Sequence, residues 1–210
     1  KYLSFFIENI NILAHILRWN YSLPALQILL PLGLSFHTFQ SLSYTIEVYQ
    51  GHQKAERHFG IFALYVLFFP QLVAGPIERP QNLLHQFHEI HTWDWNRLRE
   101  GLLRMLYGFF KKLFIADNLA VFVDQFFHHN ANYTGISAVI GITFFAFQIY
   151  CDFSGYSDIA LGSAHILGFK LMENFRAPYL SRSISEFWRR WHISLSTWFK
   201  DYVYIPLGGS

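Results

Sequence analysis

Between Gly135 and Phe169 the chain carries an apolar tract too long for one ordinary membrane span, and its only acids are Asp152 and Asp158. About 20 apolar residues suffice to cross a hydrocarbon layer about 30 Å thick. The tract is interrupted by Cys151-Asp-Phe-Ser-Gly-Tyr-Ser-Asp158, so it reads either as one broken helix or as two helices. The choice inverts the side of the membrane on which everything after it lies. Acids in such surroundings must be satisfied by hydrogen bonds or a cation. The first expectation is pairing with a basic residue from the Arg182 to Lys200 region, and the alternative is a direct acid/base role. The Ser-Gly-Tyr-Ser segment lacks the flanking glycines of a nucleophile elbow, which argues against a serine hydrolase.

Composition agrees with a bilayer. Of 210 residues, 52% are hydrophobic, 20% aromatic and only 14% charged, too apolar for a typical soluble domain of this size. A net charge of +2 makes nucleic acid a poor partner. The single cysteine, Cys151, excludes an internal disulfide framework. The chain begins at Lys1 and stops at Gly208-Gly-Ser210, so both ends read as cut and residues 1–210 as one membrane-embedded domain incomplete at both ends.

The first 20 residues are amphipathic and end in Arg18-Trp19, as the tail of a membrane helix or an interfacial segment would. From Leu23 to Tyr49 a long apolar pattern with Pro24 and Pro31 carries a polar interior including Ser35, His37, Gln40 and Ser43. It is long enough to span and polar enough to pack against protein. His37 lines a cavity or bonds a neighbouring helix. A second apolar run ends in Phe69-Pro-Gln-Leu-Val-Ala-Gly-Pro-Ile-Glu-Arg-Pro80, where prolines and glycine forbid a regular helix. That segment is either a cavity wall covered by protein or a surface loop. His85, His88 and His91 repeat at three-residue spacing, but they drift around a helix and no cysteine or placed carboxylate completes a ligand set, so no metal is expected. Gly101 to Phe127 is a third apolar stretch interrupted by Lys111-Lys112 and Asp117-Asn118; either the lysines face a polar interior or the helix starts after them.

The final stretch, Glu186-Phe-Trp-Arg-Arg-Trp-His-Ile-Ser-Leu-Ser-Thr-Trp-Phe-Lys-Asp201, concentrates charge, indoles and one histidine. At helical spacing Trp188, Trp191, His192, Leu195, Trp198, Phe199 and Tyr202 share one face, with Arg189, Arg190, Ser194 and Asp201 mostly opposite. Ser183 or Ser185 caps this helix. Periodicity leaves His192 open between a structural, hydrogen-bonded residue and a catalyst.

Long, ordered motifs carry a family resemblance: Tyr150-Cys-Asp-Phe-Ser-Gly-Tyr-Ser-Asp-Ile-Ala160, Asn174-Phe-Arg-Ala-Pro-Tyr179, the Glu186 to Ser196 run with Asp201-Tyr-Val-Tyr-Ile-Pro-Leu-Gly-Gly209, and Phe68-Phe-Pro-Gln-Leu-Val-Ala-Gly-Pro-Ile77. They resemble the membrane-bound O-acyltransferase superfamily, in its bacterial alginate O-acetyltransferase-like branch. The resemblance implies an all-α, polytopic transmembrane protein with in-plane or re-entrant helices around a tunnel, in a bacterial inner membrane. It implies transfer of an acyl group, above all acetyl, to hydroxyls of an exported polysaccharide or envelope glycan. His192 becomes the catalytic histidine, with Trp188, Arg189, Arg190, Trp191, Asp152 and Asp158 as substrate-binding candidates. No bound cofactor is implied; the donor is acetyl-CoA or an acyl carrier, and extracytoplasmic acetyltransferase proteins are candidate partners. A second histidine of the family's site is expected beyond residue 210. D-alanyl or lipid-directed transfer in the same superfamily, and a transporter or flippase using Asp152, Asp158 and His192 as an ion path, are the competing functions.

Overall fold

The computed structural model describes residues 2–17, 33–73, 75–128 and 133–209, and every regular element among them is helical. Helix α1 (Tyr2–Ile16) belongs to a unit of its own, and the remaining elements form a second unit from Gly33 onward. Pro24, Pro31, Arg18 and Trp19 lie outside the described residues, as does most of the 128–134 loop.

The second unit is built on the pairing of α5 (Trp95–Phe109) with α7 (Ile136–Leu167). Helix α5 starts at Asp94, whose carboxylate accepts from the N–H groups of Asn96 at 2.8 Å and Arg97 at 3.3 Å. It passes without a break through a π-helical segment (Phe110–Ala116) into α6 (Asp117–His128), so the helix does not start after the lysines. Helix α7 runs unbroken for 32 residues, contrary to both sequence readings of its middle, and it alone among the described helices is long and apolar enough to cross a membrane. It stops at Gly168, φ 98°, where Phe169 N–H bonds Ala164 C=O at 2.9 Å and Gly168 N–H bonds His165 C=O at 3.0 Å.

Gly155 is the reason the middle of α7 reads as a break and is not one. A Cβ at Gly155 would stand 2.8 Å from the Gly108 carbonyl oxygen, and one at Gly108 would stand 2.6 Å from that of Gly155. A heptad further along α7 the same reciprocity holds between Gly162 and Gly101, at 2.6 and 2.7 Å. The two glycine pairs bring the backbones into direct contact, as small residues do at membrane helix interfaces.

This contact decides the partners of the two acids. Lys111, only 7% exposed, forms an ion pair with Asp158 and donates to Ser154 Oγ at 3.2 Å. Arg104 Nε donates to the same Asp158 carboxylate at 3.2 Å. Lys112 bridges Asp117 and Asp152, each at 2.7 Å. The expected pairing with the 182–200 region is therefore corrected: the cations come from α5 and the π-helical segment, which the glycines press against α7. Outward, Leu102, Leu106, Phe110, Leu113 and Phe114 of the same helical run are exposed, as are Ile136, Val139 and Ile142 at the start of α7. Such a contiguous apolar surface suits lipid.

The 75–80 part of the irregular segment is covered by protein, with Pro76, Ile77, Glu78 and Pro80 buried after α3 (Phe59–Leu67) and at the start of the short helix α4 (Pro80–Leu83), whereas Phe69 is exposed. Tyr65 Oη donates to the Glu78 carbonyl at 3.0 Å, and Gln71 Nε2 donates to the Tyr65 carbonyl at 3.1 Å. Tyr65, Phe68, Leu83, Leu84 and Ala164 form the apolar core around it. Glu78 also lines a cavity of about 520 Å³ with Asn82, His91 and Met172, so the cavity-wall reading applies to Glu78. Burial pushes its carboxyl up to about 7. Helix α2 (Leu34–Tyr49) turns Gln40, Ser43 and Glu47 inward, while Ser35 of the expected polar interior is exposed; Ser43 is fully buried and Ser43 Oγ accepts from Trp198 Nε1 at 2.8 Å.

Candidate active site

The Glu186 to Asp201 stretch is two helices, α8 (Ile184–Arg190) and α9 (Ile193–Phe199), and His192 is the joint. Ser183 is the cap that sequence left open between two serines: its hydroxyl accepts from Glu186 N–H at 3.1 Å, while Glu186 accepts from Arg182 N–H at 2.8 Å. The helix ends at Trp191 in extended geometry, and His192 adopts φ 42°, ψ 55°. Among the described residues only Ala177 and His192 are non-glycine residues with positive φ. The left-handed conformation costs an L-residue about 1–2 kcal/mol, so the surroundings must hold it. They do so through the 174–176 segment, which passes beside the joint: Arg176 N–H bonds Arg190 C=O at 3.0 Å and Ile193 N–H bonds Asn174 C=O at 2.9 Å.

The joint turns the His192 imidazole into an aromatic enclosure. Phe153 of α7 meets it edge-on with ring centres 4.7 Å apart, and Phe175 lies nearly parallel at 6.5 Å. Trp191 packs 5.1 Å from Phe175 and 5.5 Å from Phe187. The Nδ1 atom of His192 is buried and without a hydrogen-bond partner among the described residues. Burial drives the imidazole down to about 4, so the ring is neutral and a proton acceptor at neutral pH.

The other candidates fall in three places. Trp188 and Arg189 are exposed and line a groove of about 770 Å³ with Ile193, Thr197, Lys200 and Tyr204. Trp191 belongs to the aromatic enclosure, and Arg190 is engaged by Glu186 at 2.5 Å. Asp152 and Asp158 are held in the α5–α7 ion pairs described above, which accounts for them structurally. His85 bonds the Gln81 carbonyl, His88 the Glu56 carboxylate and His91 the Gln86 carbonyl, so the three imidazoles face separate partners. His37 Nε2 is buried without a partner among the described residues. Sequence reasoning gave no site role to Asn174 and Ser194, both fully buried beside the joint; only their membership of the Asn174 to Tyr179 and Glu186 to Ser196 motifs could have pointed to them.

Residues 57–210 match the model of the family described as MBOAT, membrane-bound O-acyltransferase. The chain belongs to this family. It is similar to a probable alginate O-acetylase of Azotobacter vinelandii, 52% identical over 87% of this chain and 36% of that protein. A peptidoglycan O-acetyltransferase of Helicobacter pylori is 37% identical, over all of this chain and 44% of that protein. A teichoic acid D-alanyltransferase of Bacillus subtilis is 30% identical over 83% of this chain and 45% of that protein. This membrane-bound O-acyltransferase chain thus spans less than half the length of these curated relatives. The matched region holds the α5–α7 pair, the buried 75–80 segment and the His192 joint together.

Proposed function

We propose that the intact protein is a multi-pass inner-membrane O-acyltransferase that moves acetyl groups onto hydroxyls of a cell-envelope polysaccharide. The observation that carries the reading is the His192 joint: a strained backbone turn, held by two main-chain hydrogen bonds, that sets a neutral imidazole among aromatic rings. Family membership and the relatives' names supply the reaction class.

In this reading His192 is the general base. The acceptor hydroxyl attacks the acyl carbonyl while its proton passes to the imidazole; the tetrahedral intermediate then collapses, and the donor's leaving group departs with that proton. Proton transfer of this kind contributes roughly a hundred- to ten-thousand-fold. The groove beside Arg189 and Lys200 offers an anionic donor, acetyl-CoA or an acyl carrier, two cations next to an apolar wall that includes Trp188. Extracytoplasmic acetyltransferase proteins are the partners this role calls for. Because Asp152 and Asp158 are neutralised by lysines, an Asp/His ion path has less support.

The test is His192→Ala in the intact protein, expressed to wild-type level, with alkali-labile acetate on envelope glycans as readout. Loss of the acetate is expected, and unchanged acetylation overturns the assignment. The D-alanyltransferase relative motivates a second reading; release of D-alanine in place of acetate from the same preparation decides for it.

A further inference from the structure

The enclosure that surrounds His192 orients its ring only by packing, since Nδ1 has no hydrogen-bond partner among the described residues. A histidine acting as base is normally aimed by a group bonded to its second nitrogen. Here the aim has to come through the backbone, and one side chain governs that backbone. Asn174 is fully buried. Its Oδ1 accepts from Ser194 Oγ at 2.6 Å, its Nδ2 donates to Ser157 Oγ of α7 at 3.3 Å, and its main-chain carbonyl accepts from Ile193 N–H at 2.9 Å. Ser194 stands in the first turn of α9, two residues after His192, and is itself fully buried. Phe175, the next residue after Asn174, supplies the ring parallel to the imidazole. Through one residue, α7, the face of the enclosure and the first turn of α9 are fixed to one another.

We propose that Asn174 is the positioning residue of this site: its amide ties Ser157 to Ser194 and thereby holds His192 in its left-handed conformation with the ring packed against Phe153 and Phe175. The inference rests on the reading of His192 as the base for its rate consequence, though not for its geometry. An amide suits the position because it accepts on one side and donates on the other within a site that admits no water-exposed alternative. A protonated carboxyl has the same shape and the same donor and acceptor pattern, whereas leucine has the shape alone.

The experiment compares Asn174→Leu with Asn174→Asp in the intact protein in membranes, with two readouts. The first is the rate at which labelled acetate enters envelope glycan. The second is carbethoxylation of His192 by diethyl pyrocarbonate, followed by mass spectrometry of its peptide, with the exposed pairs at His88 and His165 as internal references. Asn174→Leu is expected to lower the transfer rate by about a hundredfold, the scale of a misplaced reacting group. It is also expected to speed modification of His192 severalfold while His88 and His165 are unchanged; Asn174→Asp restores both. If Asn174→Leu fails to accumulate, Ser194→Ala removes the Oδ1 partner alone and is expected to reproduce the change at His192. Equal behaviour of the Leu and Asp variants in both readouts overturns the proposal, because then the side chain only fills space. Faster modification of His192 in Asn174→Leu together with full transfer by His192→Ala upholds the positioning and refutes the base.

Discussion

Replacing Gly155 by alanine sets two effects of opposite sign against each other. In an exposed helix interior the change stabilises by about 1 kcal/mol through helix propensity. At Gly155 the new methyl meets backbone on the facing helix, the Gly108 oxygen at 2.8 Å and the Lys112 nitrogen at 3.0 Å, where ordinary contact begins near 3.4 Å. Neither atom can turn away, so α5 and α7 must part by about 0.5 Å, enough to forfeit about a quarter of the dispersion well in the contacts between them. Overpacking of this kind costs about 1–3 kcal/mol, and the Lys111–Asp158 pair in the same interface is pulled apart as well. The net expectation is a loss of up to about 2 kcal/mol, read as a fall of up to roughly 8 °C in the tryptophan-fluorescence melt of the detergent-solubilised protein. Gly141→Ala is the contrast, because its obstacle is the Phe126 ring at 2.5 Å, a side chain that can move; its loss should be smaller. A Gly155→Ala protein that melts at or above wild type refutes the account of the interface.

Asp158→Asn strands the buried Lys111 charge and should cost about 3–5 kcal/mol, whereas Lys111→Met with Asp158→Leu should recover most of it in the same melt. Ala177 sits at φ 44°, so Ala177→Gly should stabilise by about 0.5–1 kcal/mol after the entropy lost from the unfolded chain is subtracted. Transfer should persist as pH falls through 6 and disappear near pH 4, since the base form of His192 exists above its lowered value of about 4; an acid limb near the ordinary value of 6.5 contradicts the enclosure. Stability should decline over the same window, because between about pH 6.5 and 4 the unfolded chain binds the proton that the folded His192 refuses.

The helical class, a serine cap at Ser183 or Ser185 and the concentration of aromatics around His192 could be read from residue types and spacing, because each is a local property; that Ser183 is the cap comes from its bond to Glu186 N–H. The break at His192 could not. The apolar period runs through Trp188, Trp191, Leu195 and Trp198 as though the helix continued, and the turn exists because a segment more than ten residues earlier bonds across it at Asn174 and Arg176. The break expected at Cys151 to Asp158 failed for the converse reason. Gly155 and Ser154 look like helix breakers in one dimension, and only the facing Gly108 reveals that they are small so that another backbone can approach. With that approach unseen, basic residues nearer in sequence looked like the natural partners of Asp152 and Asp158.

The ion pair across the glycine interface also has a place in time. Arg104 and Asp158 are 54 residues apart. At roughly 5–20 residues per second, the ribosome delivers the cations of α5 about three to ten seconds before the carboxylate that neutralises them. A lysine left alone in an apolar setting is costly, so the Lys111 charge is compensated only once α7 has been made. The glycines that let the two backbones touch are what bring that late carboxylate within reach of the earlier cations.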